Sequence, residues 1–211
     1  VPPARTLFDY DGDGRADVSV FRASTNRWYV LKSSDMTVYE MTFGLAGDVI
    51  APADYDGDGK TDLGIFRSGA WWYLSSVDGQ QKSGNWGSGG DVPRPSDFDG
   101  DGIADLIVFR PSENKWYRMG SSGLISIVSF GLAGDQPVTG DFDGDGKSDI
   151  AIYRPSDGNW WWQSSVDGIQ RATKWGISTD MPTPADYDGD GKTDFAVFRP
   201  STGVWYIINS S

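Results

Sequence analysis

The chain has 211 residues, of which 38% are hydrophobic and 14% aromatic, enough for one sizeable core within a single domain spanning 1–211. It contains no cysteine and no histidine, which excludes disulfides, thiolate or imidazole zinc sites, and nucleophile–base pairs built on either residue. A formal charge of -12 without clustered Lys and Arg argues against nucleic acid, and no apolar run approaches the roughly 20 residues that span a bilayer.

Glu40 and Glu113 are the only glutamates, whereas Gly (28), Phe (10), Trp (10) and Tyr (9) abound, a balance that favours short strands joined by tight turns. One acidic string recurs with small changes, starting at Asp9, Asp54, Asp97, Asp141 and Asp186. A near-constant period predicts one supersecondary unit per repeat, with units beginning near residues 4, 50, 93, 137 and 182.

In the first unit the loop from Asp9 leads into an apolar run closed by Arg22 and an aromatic run around Trp28. The second unit, with its loop at 54–62, places Arg67 and Trp72 likewise and then turns through "SSVDG" at 75–79. In the third, Leu106 and Val108 alternate with Ile107 and Phe109, so both faces of the strand are apolar, as a sheet sandwiched between two neighbours requires. The fourth turns through "PSDGNW" (155–160) and "SSVDG" (164–168), which supply the Pro, Asp and Gly of hairpins. The fifth runs from "PTPADY" (182–187) through "DFAVFR" (194–199) to "VWYIIN" (204–209) and stops before an outer strand, and residues 1–3 are too few to return and supply one. Four short strands per unit are a propeller blade, so the expected fold is an all-β, five-bladed β-propeller whose last blade lacks its outer strand. A start at Val1 without a signal-like segment fits a processed mature protein or an excised domain.

The acidic loop carries four Asp at positions one, three, five and nine. Unpaired, these carboxylates repel; a Ca²⁺ ion, which takes about 6 to 8 oxygens, would be held by the side chains at one, three and five, a backbone carbonyl at seven, and the Asp at nine. The expected ligands are Asp9, Asp11, Asp13, Arg15 (carbonyl) and Asp17 in the first loop, and Asp54, Asp56, Asp58, Lys60 (carbonyl) and Asp62 in the second. They continue with Asp97, Asp99, Asp101, Ile103 (carbonyl) and Asp105, then Asp141, Asp143, Asp145, Lys147 (carbonyl) and Asp149, and finally Asp186, Asp188, Asp190, Lys192 (carbonyl) and Asp194. Position twelve, where an EF-hand has its bidentate Glu, is Ile65 in the second loop, so this is a strand–loop–strand site. Twenty of the 30 acidic residues lie in these loops, and about five Ca²⁺ would bring the formal charge from -12 to about -2.

"DYDGDGKTDLGIFR", "DFDGDGKSDIAIYR" and "DYDGDGKTDFAVFR", each preceded by "FG" or "WG" and then by "GD" or "TD", resemble FG-GAP or VCBS-type repeats over nearly the whole chain. These include the cation-binding blades of integrin α-subunit propellers and many secreted bacterial proteins. The resemblance implies the Asp ligands above and an extracellular, Ca²⁺-stabilised propeller used in adhesion, carbohydrate binding or as an accessory module. Integrin propellers have more blades than this chain has motifs, so their ligand surfaces are not transferred.

Trp28, Trp72, Trp116, Trp160 and Trp205 align as one aromatic position repeated in every unit, which points to packing between blades. Trp71 and Trp162 break the pattern, since other units have Arg27, Lys115, Asn159 or Val204 in place of the first and Val30, Leu74, Arg118 or Ile207 in place of the second. They are the candidate ligand-binding residues, with filling of a local gap as the competing reading. Arg22, Arg67, Arg110, Arg154 and Arg199 close each apolar strand, and Asp48, Asp91, Asp135 and Asp180 recur between units, so Arg–Asp scaffold pairs are expected. The expected function is a non-catalytic binding or adhesion module, secreted or on the cell surface, with a glycan or an extracellular protein as partner. The alternatives are a structural subunit that self-assembles as a homo-oligomer or filament through its terminal edge strand, and an accessory domain of a secreted enzyme.

Overall fold

The computed structural model describes residues 7–211; the repeat boundary near residue 4 and the expectation about residues 1–3 lie outside them. The described residues form a five-bladed β-propeller arrangement without a helix, and no helix is long and apolar enough to cross a membrane. Blade one contains β1 (Val18–Arg22), β2 (Arg27–Leu31) and β3 (Val38–Thr42). Blade two contains β4 (Val49–Ile50), β5 (Leu63–Arg67), β6 (Ala70–Leu74) and β7 (Gln81–Asn85). Blade three contains β8 (Val92–Pro93), β9 (Leu106–Arg110), β10 (Lys115–Met119) and β11 (Ile125–Ser129). Blade four follows with β12 (Gln136–Gly140), β13 (Asp149–Arg154), β14 (Asn159–Gln163) and β15 (Gln170–Lys174). Blade five has β16 (Met181–Pro182), β17 (Phe195–Arg199) and β18 (Val204–Ile208), with no outer strand among the described residues.

Every sheet is an antiparallel meander in which successive strands are neighbours, as short hairpin connections dictate. Within each middle blade the pleat sends alternate residues to opposite neighbours. Leu63 and Ile65 face blade one, where they meet Trp28, while Phe66, beside Trp71 of its own blade, faces blade three, where it meets Val108. The core is therefore a series of inter-blade layers rather than one central mass. Backbone hydrogen bonds repeat at the same seams: Thr61 N donates to Asp9 O, Ala104 N to Asp54 O, Ser148 N to Asp97 O and Thr193 N to Asp141 O, each at 2.7 Å.

The β5–β6 hairpin corrects the repeat alignment. Arg67 pairs with Ala70, leaving Ser68 and Gly69 as a two-residue turn, whereas Arg110 pairs with Lys115 across four residues. Both turn residues have positive φ (51° and 95°), the type I′ geometry that a two-residue hairpin needs, and a side chain at Gly69 would strike the Gly87 carbonyl. Because this turn is shorter, Trp71 and not Trp72 is the counterpart of Trp28, Trp116 and Trp160, and Tyr73 replaces Leu74 in the other series.

Candidate metal centres

Each acidic loop leads into the long strand that follows it, β1, β5, β9, β13 or β17; the bridges Ala53↔Asp62, Ser96↔Asp105 and Ala185↔Asp194 close three of them at the base. The first Asp organises the loop from within, since Asp9 accepts hydrogen bonds from Gly12 N (2.6 Å) and Gly14 N (2.8 Å). The same carboxylate-to-amide pattern recurs at Asp54, Asp97, Asp141 and Asp186. Glycine is required here because the chain passes through positive φ twice, at Gly57 (82°) and Gly59 (88°) in the second loop.

The ninth-position Asp ties the loop to the rest of the blade. One oxygen of Asp62 accepts from Tyr55 N (2.9 Å) and the other from Ser76 N (2.6 Å), beyond the next two strands. Asp17, Asp105, Asp149 and Asp194 do likewise with Ser33, Ser121, Ser165 and Ser210. These serines belong to pairs that the sequence reading missed. Ser75 Oγ donates to Asp56 (2.5 Å) and Ser76 Oγ to Asp58 (3.0 Å); Ser33 and Ser34 bond Asp13 and Asp11, and Ser210 and Ser211 bond Asp190 and Asp188. The signal was available, because "SS" follows the aromatic strand in all five units.

The carboxylates converge. Single oxygens of Asp9, Asp11 and Asp13 lie within 4.8 Å of one another, as do those of Asp54, Asp56 and Asp58 and of Asp97, Asp99 and Asp101. In blades four and five the converging sets are Asp141, Asp143 and Asp149, and Asp186, Asp188 and Asp194, so the ninth position joins there. Two observations fit a hard cation. Asp56 Oδ1 and Asp143 Oδ1 are buried without any hydrogen-bond partner, an expensive state for a carboxylate unless a positive charge faces it. Burial, reinforced by neighbouring carboxylates, pushes Asp105 up to about 6 and Asp149 up to about 7, so without a counter-charge the loops would gather protons. An all-oxygen donor set suits such an ion and disfavours zinc or copper. Tyr55 and Tyr187 amides point the ninth Asp, and the residues at position seven reach across the seams: Lys60 lies against Gly12, Ile103 against Gly57, Lys147 against Gly100 and Lys192 against Gly144.

Four of the five arginines form the expected scaffold, while Arg22 donates to the Tyr29 hydroxyl instead. Arg67, Arg110, Arg154 and Arg199 bind Asp48, Asp91, Asp135 and Asp180 through both Nε and Nη2. Each of these Asp residues also accepts a backbone N–H from its own connection, at Leu45, Ser88, Leu132 and Ile177. The guanidinium then lies over the next strand's aromatic ring, Trp72, Tyr117, Trp161 or Tyr206. Asp180 is held below the usual carboxylate range by its hydrogen bond to Arg199.

The two proposed ligand tryptophans are not available to a ligand. Trp71 is 1% exposed and donates its indole N–H to Trp86 O (2.8 Å), the same bond that Trp28, Trp116 and Trp160 make to Phe43, Phe130 and Trp175. Trp162 is 8% exposed, packed against Phe142 and covered by Arg171. Both serve as core, because each lies on a sheet face that a neighbouring blade covers. Trp205 departs in the opposite sense: expected as core, it is 53% exposed.

A family model described as FG-GAP-like repeat matches residues 9–65, 97–152 and 141–197, together well over half of the chain. The chain belongs to the FG-GAP-like repeat family. No curated protein matches it. Among solved structures, this FG-GAP-like chain is similar to streptogramin B lyase at 12% identity and a TM-score of 0.56, covering 99% of this chain and 70% of that one. Virginiamycin B lyase from Staphylococcus aureus aligns at 11% identity and 0.56, covering 95% and 68%. A lectin from Agrocybe aegerita, described as recognising non-reducing terminal N-acetylglucosamine, aligns at 18% identity and 0.57; the alignment covers 88% of the FG-GAP-like chain but only 57% of the lectin. At these identities the likeness is one of fold.

Proposed function

We propose that this FG-GAP-like chain is a calcium-stabilised, extracellular and non-catalytic binding module whose partner is a glycan. The observation that carries the metal reading is the pair of unpartnered buried oxygens, Asp56 Oδ1 and Asp143 Oδ1, inside loops whose other carboxylate oxygens are bonded to the scaffold. Ca²⁺ in each loop would take the four Asp side chains and the carbonyls of Arg15, Lys60, Ile103, Lys147 and Lys192. Its role is to hold the hairpins, since the Asp side chains that would ligate it are already tied to the loop amides and to the serine pair beyond the aromatic strand. Exposed loops of this kind fill at the calcium levels found outside cells.

The groove between blades three and four supports a sugar as ligand. It is lined by Trp161, Arg154, Asn114, Glu113 and Gln170, and both Trp161 Nε1 and Asn114 Oδ1 lack a hydrogen-bond partner. An indole beside planar polar groups matches the apolar face and hydroxyl edge of a pyranose. The Agrocybe lectin makes N-acetylglucosamine the first sugar to test. A glycan array read in calcium should give hits that Trp161→Ala removes while melting temperature stays within a few degrees. A blank array with folded, calcium-loaded protein overturns the glycan reading and leaves a protein partner.

A further inference from the structure

The connections that leave the blades are of two kinds, and the kinds alternate along the chain. Blades one and three leave through the same string, "FGLAGD" at 43–48 and 130–135. Blades two and four share "SSVDG" (75–79 and 164–168) and leave through Trp86-Gly87 and Trp175-Gly176. One backbone bond fixes the equivalence: Phe43 N donates to Asn26 O and Phe130 N to Asn114 O, as Trp86 N does to Gly69 O and Trp175 N to Gly158 O. After blades two and four the seam is closed. Trp86 Nε1 reaches the next blade at Tyr117 O (3.1 Å) and Trp175 Nε1 at Tyr206 O (3.0 Å), and a side chain at Gly69 or Gly158 would strike the carbonyl of Gly87 or Gly176.

After blades one and three the same place is built differently. Phe43 and Phe130 have no side-chain donor to lay across the next blade, and the hairpin residue is asparagine in place of glycine. Asn26 and Asn114 have φ of 53° and 51°, a conformation that Asn tolerates, and in both the side-chain Oδ1 lacks a hydrogen-bond partner. The groove between blades three and four thus has a duplicate between blades one and two. By strand register, Arg154, Trp161 and Gln170 of blade four correspond to Arg67, Trp72 and Gln81 of blade two. Arg67 lies over Trp72 (4.9 Å) as Arg154 lies over Trp161 (5.7 Å). In the closed seam between blades two and three, Tyr117 and Ile125 stand where Trp161 and Gln170 would. The short β5–β6 turn, which takes Trp72 out of the core position, therefore delivers it to a groove.

We propose that the seam between blades one and two holds a second pyranose site, built on Asn26 and Trp72, so that the chain binds glycans bivalently through every second seam. This rests on the glycan reading of the groove between blades three and four. In each groove the indole supplies an apolar face and the asparagine and glutamine supply polar groups for hydroxyls. Both grooves lie at the strand ends opposite the acidic loops, so they open on the same side of the propeller. Two sites engaged together on a dense sugar surface raise the apparent affinity by about 10² to 10⁴. Loss of either groove should therefore clear a glycan array, Trp72→Ala as completely as Trp161→Ala.

A free monosaccharide separates the two sites, because it gains nothing from bivalency. The test follows the indole N–H signals of isotope-labelled protein by NMR, in calcium, as the methyl glycosides of N-acetylglucosamine, galactose and mannose are added in turn. At least one of these sugars is expected to shift two indole signals, assigned by their loss in Trp72→Phe and in Trp161→Phe. Asn26→Gly, which installs the residue found in blades two and four, should abolish the shift at Trp72 and keep that at Trp161, with an unchanged melting temperature. A shift confined to Trp161 overturns the second site and leaves the glycan reading standing. A response at Trp86 or Trp175 overturns the proposal as well, since the sites would not alternate. No shift with any of the three sugars overturns both readings.

Discussion

The third blade and the fifth share a sequence pattern and differ in what it buries. Trp116 and Trp205 occupy the same place in their strands, yet one is fully covered and the other 53% exposed. The difference lies in the neighbours: blade three has an outer strand and a following blade, whereas blade five has neither among the described residues. Burial in a propeller is thus conferred by the adjacent repeat, as in other arrays whose units cannot cover their own apolar faces.

Removing calcium should have the largest effect, because it acts on every blade. A site filled at about 100 times its dissociation constant contributes about 2.7 kcal/mol. Excess EDTA should therefore lower the melting temperature by tens of degrees and abolish the distinction between covered and uncovered seams; calorimetric titration should recover about five ions per chain. A melting curve indifferent to EDTA would remove the metal reading.

Next in size is a matched pair of substitutions. Val108 is fully buried, so Val108→Asp places an unpaired charge inside a seam and should cost about 3 to 5 kcal/mol. Val20→Asp, at the equivalent position on the uncovered face, should change monomer stability by less than about 0.5 kcal/mol. Equal losses in chemical denaturation would show that blade one is covered in solution.

Arg110→Met should destabilise by about 1.5 to 3 kcal/mol, since it leaves the buried Asp91 without its two charge-assisted bonds. An unchanged midpoint in urea would mean that the Arg–Asp series is ornamental.

The smallest effect is in pH. Asp180 is held below its usual range by Arg199, so it binds fewer protons in the folded state than in the unfolded one. Its stabilisation is complete above the unfolded value near pH 4 and is lost as pH falls through the lower folded value. The melting temperatures of wild type and Arg199→Met should therefore converge as pH drops below about 4; a constant offset down to pH 2 would contradict this sign.

The carboxylate clusters were legible in the sequence because their Asp residues sit within nine residues of one another, though which three of the four converge differs between loops. The Arg–Asp pairs were legible for a related reason: both members recur with the same period. The serine pairs were also present as a repeat, but their relevance depends on the chain returning past two strands to the loop, which spacing does not display. Trp71 was misplaced because a two-residue turn replaced a four-residue one, and the slip of a single aromatic position turned a core residue into a candidate site.

By itself the sequence determined the blade and the loop, since both are local: alternating apolar strands, turns of defined chemistry and carboxylates at set intervals. The tertiary structure alone decided which tryptophans are core. Solvent exposure of a strand residue depends on whether another sheet stands about 10 Å away, and that is a property of the neighbouring repeat rather than of the residue's own surroundings in the chain. Trp71 and Trp205 therefore have the same local sequence logic and opposite fates.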